Sequence, residues 1–177
     1  MSRIASQDAT LLTRELADLA TAGAEAWSAT LGHGSNLFID LGERGQRSYT
    51  VAGQPRTREI GSWRLWVRAA AWRIEDDAHV IVACEDPRTA LAERISVLQG
   101  RRITALSVVK PALQTMFDFD GVRLLVFPAH SGLSLTTGSD PSPAEHGQWS
   151  LWRPQGDILN VLPDSTWTVE PGGTDLT

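Results

Sequence analysis

The chain has 177 residues, 42% hydrophobic and 21% charged, a balance that fits one folded domain and excludes a disordered chain. Its net charge of −5 leaves no basic surplus for nucleic acid, whose phosphates need a cationic face. The single cysteine, Cys84, excludes an intrachain disulfide and a multi-cysteine zinc site.

The first element expected is a helix over residues 8–31. Leu12, Leu16, Leu19, Gly23, Ala26 and Trp27 recur near a 3.6-residue period, with Asp8 placed to cap the start and Gly32 and Gly34 to stop the end. Gly23 is its weak point, costing about 1 kcal/mol relative to alanine. From Ser35 the period changes to 2. Asn36–Leu41 and Gln46–Ala52 read as strands around Gly42-Glu43-Arg44-Gly45, a hairpin ended by Gly53-Gln54-Pro55.

A long strand is expected over Ser62–Ile74, which interleaves three tryptophans with three arginines. One face carries Trp63, Leu65, Val67, Ala69 and Ala71; the other carries Arg64, Trp66, Arg68, Ala70, Trp72 and Ile74. After a turn at Glu75-Asp76-Asp77, His79–Cys84 reads as a short buried strand. Asp86 and Pro87 fit the cap and first position of a helix over 87–99, with Ala90, Leu91, Ile95 and Leu98 as its apolar stripe and Gly100 as its end.

Ile103–Val109 reads as a strand. Leu113–Phe119 alternates, and Asp120-Gly121 is the strongest hairpin signal of the chain, returning through Val122–Phe127. Residues 129–147 shift to Ser, Thr, Gly and Pro, a long loop of the kind that is often functional or disordered. Gln148–Arg153, Ile158–Leu162 and Thr166–Val169 read as strands joined by turns at Pro154–Asp157 and Pro163-Asp164, and residues 170–177 as a tail. Strands joined by tight turns, with an N-terminal helix and one mid-chain helix, give a single α+β domain over 1–177 built on a curved, mainly antiparallel sheet. No apolar run approaches the roughly 20 residues that span a bilayer. Met1–Ala9 lacks the apolar stretch of a secretory signal, so a cytoplasmic protein is expected.

The search for catalytic residues is negative. His33, His79, His130 and His146 have no metal-ligand spacing. Asp118 and Asp120 resemble the start of a calcium loop, but Val122, Arg123 and Leu124 follow where ligands are required. Cys84 ends an apolar strand, the place of a structural thiol, and no nearby base is evident to make it a nucleophile. Neither a phosphate loop nor a serine-nucleophile elbow is present, so no cofactor, metal or catalytic residue is expected. The candidate binding residues are Arg64, Trp66, Arg68 and Trp72. Stacked guanidinium and indole groups suit an anionic or planar ligand or a partner protein. The weightier expectation is structural: Trp66 and Trp72 pack under the N-terminal helix while the arginines reach outward, because large aromatics are chiefly burial devices.

Several strand and turn signatures lie together. Ser62-Trp63-Arg64-Leu65 with Ala71-Trp72-Arg73-Ile74, Leu98-Gln99-Gly100-Arg101-Arg102-Ile103, Phe119-Asp120-Gly121-Val122-Arg123-Leu124 with Val126-Phe127, and Trp149-Ser150-Leu151 with Pro154-x-Gly156 span residues 62–169. The pattern resembles a group of small bacterial proteins without an assigned activity, some of them similar to immunity proteins of polymorphic toxin systems. That resemblance implies a common fold and supplies no site residues. The function expected is a non-enzymatic cytoplasmic protein-binding module of immunity or antitoxin type, its acidity suited to a basic partner. The alternatives are a small-molecule or enzymatic pocket on the concave sheet, and a structural homodimer.

Overall fold

A computed structural model describes residues 6–51, 53–128 and 148–172. The loop expected over 129–147, with His130 and His146, lies outside the described residues. Of the tail expected over 170–177, Glu170 and Pro171 pair as strand with Ile158 and Asp157, and residues 173–177 lie outside the described residues. The architecture is α+β, with two antiparallel sheets where one curved sheet is expected. One has six strands, in the order β1 (Ala26–Leu31), β2 (Leu37–Val51), β3 (Gln54–Val67), β9 (Trp149–Trp152), β10 (Asp157–Val161), β11 (Trp167–Pro171). The other has five: β5 (Val80–Ala83), β4 (Ala71–Glu75), β8 (Val122–Phe127), β7 (Gln114–Phe119), β6 (Ile103–Val109).

The inward faces of both sheets enclose one apolar cluster. Leu37, Ile39, Leu41, Trp63, Leu65, Val67, Trp149 and Leu151 come from the first sheet, and Trp72, Ile74, Phe117, Phe119, Leu124 and Val126 from the second. Phe117 meets Trp149 edge-on across the interior, with ring centroids 5.5 Å apart. Helix α1 (Ala9–Thr21) lies against β6 and adds Leu12, Leu16 and Leu19. Helix α2 (Arg88–Arg94) leads into a 3-10 turn at Ile95–Leu98, which adds Ile95 and Leu98 and packs on β1. Edges of the two sheets are stitched where Ala26 N–H donates to Arg101 O and Gly100 N–H donates to Ala26 O.

The long strand expected over 62–74 is two strands in two sheets. Inward positions are odd-numbered through Val67 and even-numbered from Trp72, so the buried face changes parity across Arg68–Ala70. A chain that leaves one sheet at a bend and enters the other keeps an apolar side chain on the core face of each. Trp72 therefore belongs to the core: it is 1% exposed, and its Nε1 donates to Ser35 O at 2.8 Å.

The first hairpin also differs from expectation. Within Gly42–Gly45, Gly42 and Glu43 form a bulge in the continuous strand β2, Arg44 and Gly45 are already paired with Gly61 and Ile60, and the reversal comes at 51–54. Gly42 has φ +74, the left-handed conformation that glycine supplies at such a kink. The expected helix over 8–31 ends at Thr21. Its Asp8 cap is in place, accepting from Thr10 N–H at 2.8 Å, but Gly23 turns left-handed at φ +54 and Ala26–Leu31 pairs with β2 as a strand. Asp86 does not cap α2; its carboxylate accepts from Ala83 N–H, and Pro87 occupies the cap position. The Asp120-Gly121 hairpin is present, both residues left-handed at φ +53 and +82.

Candidate binding face

Alternation that sends Leu37, Ile39, Leu41, Trp63, Leu65 and Val67 inward sends Phe38, Asp40, Arg64 and Trp66 outward, onto the open side of the first sheet. Register then brings them together. Phe38 lies opposite Trp66, Asp40 opposite Arg64, and on the far side of β3 Arg64 lies opposite Trp152. Three rings stack across β2, β3 and β9: Phe38 on Trp66 at 5.0 Å and Trp66 on Trp152 at 5.6 Å. The Arg68 guanidinium covers the Trp66 ring at 3.7 Å, and the Arg64 guanidinium sits over Phe38 at 4.7 Å. At the bulge, Arg44 covers Trp27 in the same way at 4.7 Å.

The donors on this face are poorly met. Arg64 Nη1, Trp66 Nε1, Arg68 Nε and Trp152 Nε1 are buried atoms without a hydrogen-bond partner, as is Trp27 Nε1 beside the bulge. Of the inward-facing indoles, Trp72 and Trp167 donate to the backbone carbonyls of Ser35 and Asp8, while the core residue Trp149 leaves its Nε1 unmet. Arg64 is the extreme case. Its side chain is 4% exposed, and Asp40, equally buried, stands 3.6 Å away, close enough to compensate charge but too far for a hydrogen bond. Asp40 is itself held in place by Gly61 N–H at 3.1 Å. Gly61 is obligatory there, since a Cβ would collide with the Leu41 backbone.

Burial pushes the Arg64 pKa down to about 10; Asp40 opposes that shift, and Arg58 and Arg47 add to it by repulsion. The group stays charged at neutral pH. Burial also lowers Arg68. Beside Arg64 the sheet opens into a cleft of about 300 Å³, lined among others by Arg47, Ile60, Ser62, Trp152 and Gly156. Arg153, also on its wall, is committed to Glu15 and Asp157.

Of the four residues expected to bind, Arg64, Trp66 and Arg68 share this face, and Trp72 does not. No family model, curated protein or solved structure matches the chain.

Phe38, Asp40, Ser62 and Trp152 complete the arrangement without having been singled out from the sequence. Asp40 had a legible signal, a lone acid inside the apolar run Leu37–Leu41. Cys84, half-buried, accepts a hydrogen bond from Trp72 N–H at 3.4 Å, and burial raises its pKa, so it is held as a neutral thiol. Asp118 accepts from Gly121 N–H and serves the hairpin turn. His79 lies exposed beside Asp76. Among the described residues no group of three or more His, Cys, Asp or Glu is placed to hold a metal, and no helix is long and apolar enough to cross a membrane.

Proposed function

We propose that this protein is a non-enzymatic, cytoplasmic protein-binding module whose contact surface is the outer face of the first sheet. One observation carries the reading: Arg64, Trp66, Arg68 and Trp152 hold buried N–H donors that meet no acceptor. An unmet buried donor costs free energy that a partner's carbonyl or carboxylate recovers on binding. Tryptophan and arginine are also the residue types that dominate hot spots.

The unmatched groups are donors only, so the partner is an acidic, acceptor-rich segment. That is opposite to the basic partner implied by net charge alone, because the face is cationic while the whole chain is acidic. The resemblance to immunity proteins gives this reading a concrete form, a module that covers the working surface of a toxin.

Affinity capture with the tagged chain tests it, comparing the native protein with Trp66→Ser/Arg68→Ser on this face and Arg73→Ser on the opposite one. A stoichiometric protein retained by the native chain and by Arg73→Ser, lost from Trp66→Ser/Arg68→Ser, and bound through an acidic segment is the expected result. Retention by the native chain and both variants alike, or no capture at all, contradicts the reading.

A further inference from the structure

The cleft beside Arg64 has a chemistry narrower than that of the face it adjoins. Its cation is a nearly fully buried guanidinium that makes no hydrogen bond among the described residues. A buried arginine in a folded interior normally has its donors filled, because desolvated donors without acceptors are costly. Ser62 Oγ, on the same wall, accepts from Glu43 N–H at 3.1 Å, which leaves its own proton to donate. Trp152 offers an indole surface and Ile60 an apolar side chain.

We propose that this cleft is a carboxylate-binding site, in which the Arg64 guanidinium and the Ser62 hydroxyl hold a carboxylate whose carbon body packs on Trp152. The planar fork of arginine matches the two oxygens of a carboxylate. Asp40 already lies against the guanidinium, so a single negative charge is accommodated and a phosphate dianion is opposed. Arg47 and Arg58 lie near enough to repel Arg64, and an incoming anion relieves that repulsion. The carboxylate belongs either to a small aryl or alkyl acid or to an Asp or Glu side chain of a docked segment. The second source rests on the function proposed above; the first does not.

Nitrogen-15 NMR of the whole chain tests the site, with sodium benzoate and an acetylated hexaglutamate peptide as probes and sodium sulfate as the control. Saturable shifts of the Arg64 Nε–H and the Trp152 indole N–H by benzoate, and weaker ones by sulfate, are expected. Ser62→Ala should weaken benzoate by about tenfold, the scale of one hydrogen bond to a charged group. Because Arg64→Met alone strands the Asp40 carboxylate, and Gly61 N–H needs an acceptor at position 40, the decisive variant is Arg64→Met/Asp40→Asn, which should retain native core resonances and lose benzoate.

Native-like benzoate binding by that variant overturns the site, as does the absence of shifts at millimolar benzoate. Hexaglutamate displaced by benzoate identifies an acidic side chain as the source. Benzoate binding without hexaglutamate binding keeps the cleft and removes the acidic-partner reading. Hexaglutamate binding with no benzoate binding keeps the face and removes the cleft.

Discussion

The outer faces of the two sheets use the same residue types to different ends. On the second sheet, Arg73 donates to Glu75 at 2.8 Å, and Arg123 reaches Asp77 at 3.1 Å, Glu75 at 3.8 Å and the Asp76 carbonyl at 2.9 Å. Arg73 also lies over the Phe127 ring, at 5.3 Å. These arginines are paired with the chain's own carboxylates and a carbonyl, and of their buried nitrogens Arg123 Nε alone lacks a hydrogen bond. On the first sheet, Arg64 and Arg68 lie over Phe38 and Trp66, Arg64 has one carboxylate beyond hydrogen-bond reach, and four buried donors go unmet. An arginine paired within its own sheet has its charge compensated at home, whereas Arg64 and Arg68 are the groups that the proposed partner would satisfy.

Breaking each face at its carboxylate gives the largest contrast. Asp40→Ala leaves Arg64 buried and uncompensated and should cost about 3–5 kcal/mol in urea denaturation. Glu75→Ala removes a carboxylate from arginines in contact with water and should cost less than about 1 kcal/mol. Similar losses for the two substitutions would erase the distinction between the faces.

Removing both members of the buried pair sharpens it. Arg64→Met/Asp40→Asn removes both charges and keeps an oxygen that accepts from Gly61 N–H, so it should leave stability unchanged or raise it by about 1–4 kcal/mol, the buried pair's desolvation penalty being avoided. A fall in stability on that scale would mean that the pair holds the fold rather than waiting for a ligand.

The smallest effect is local and lies at the edge of the second face. Backbone N–H groups of His79 and Ala78 hold the Asp76 carboxyl below the usual carboxylate range, and the positive charges of His79 and Arg123 act in the same direction. A depressed carboxylate stabilises the fold fully above its unfolded pKa, and the contribution is lost as pH falls through the folded value. The Asp76 carboxyl carbon resonance should therefore titrate with its midpoint below the ordinary carboxylate range. Asp76→Asn should shift the Ala78 and His79 amide resonances while leaving those of Arg64 and Trp152 in place. Coupled movement of both sets would contradict the independence of the two faces.

Much of the strand content was legible in the sequence because strand periodicity and turn chemistry are local. Leu113, Thr115, Phe117 and Phe119 are all buried, and Asp120-Gly121 reverses the chain as its composition dictates. The misreadings came from tertiary pairing. Gly42–Gly45 has the composition of a turn but holds a bulge and runs on as strand, because β3 continues past it on the partner side. Trp72 follows Arg64, Trp66 and Arg68 in alternation, yet the sheet switch at Arg68–Ala70 reverses its face. Alternation alone cannot reveal where a strand changes sheets. The candidate site was half legible for the same reason. Arg64, Trp66 and Arg68 lie on one strand segment, whereas Phe38, Asp40 and Trp152 join them only through the register of β2 and β9.

The most direct test of the central claim uses the tryptophan indoles as reporters on both sides of the first sheet. Trp66 and Trp152 carry unpartnered N–H groups on its outer face, while those of Trp72 and Trp167 donate to backbone carbonyls. A nitrogen-15 titration with an acidic peptide should shift the Trp66 and Trp152 indole resonances and leave those of Trp72 and Trp167 in place. Movement of resonances around Arg73 and Arg123 instead, with Trp66 and Trp152 unchanged, would contradict the account.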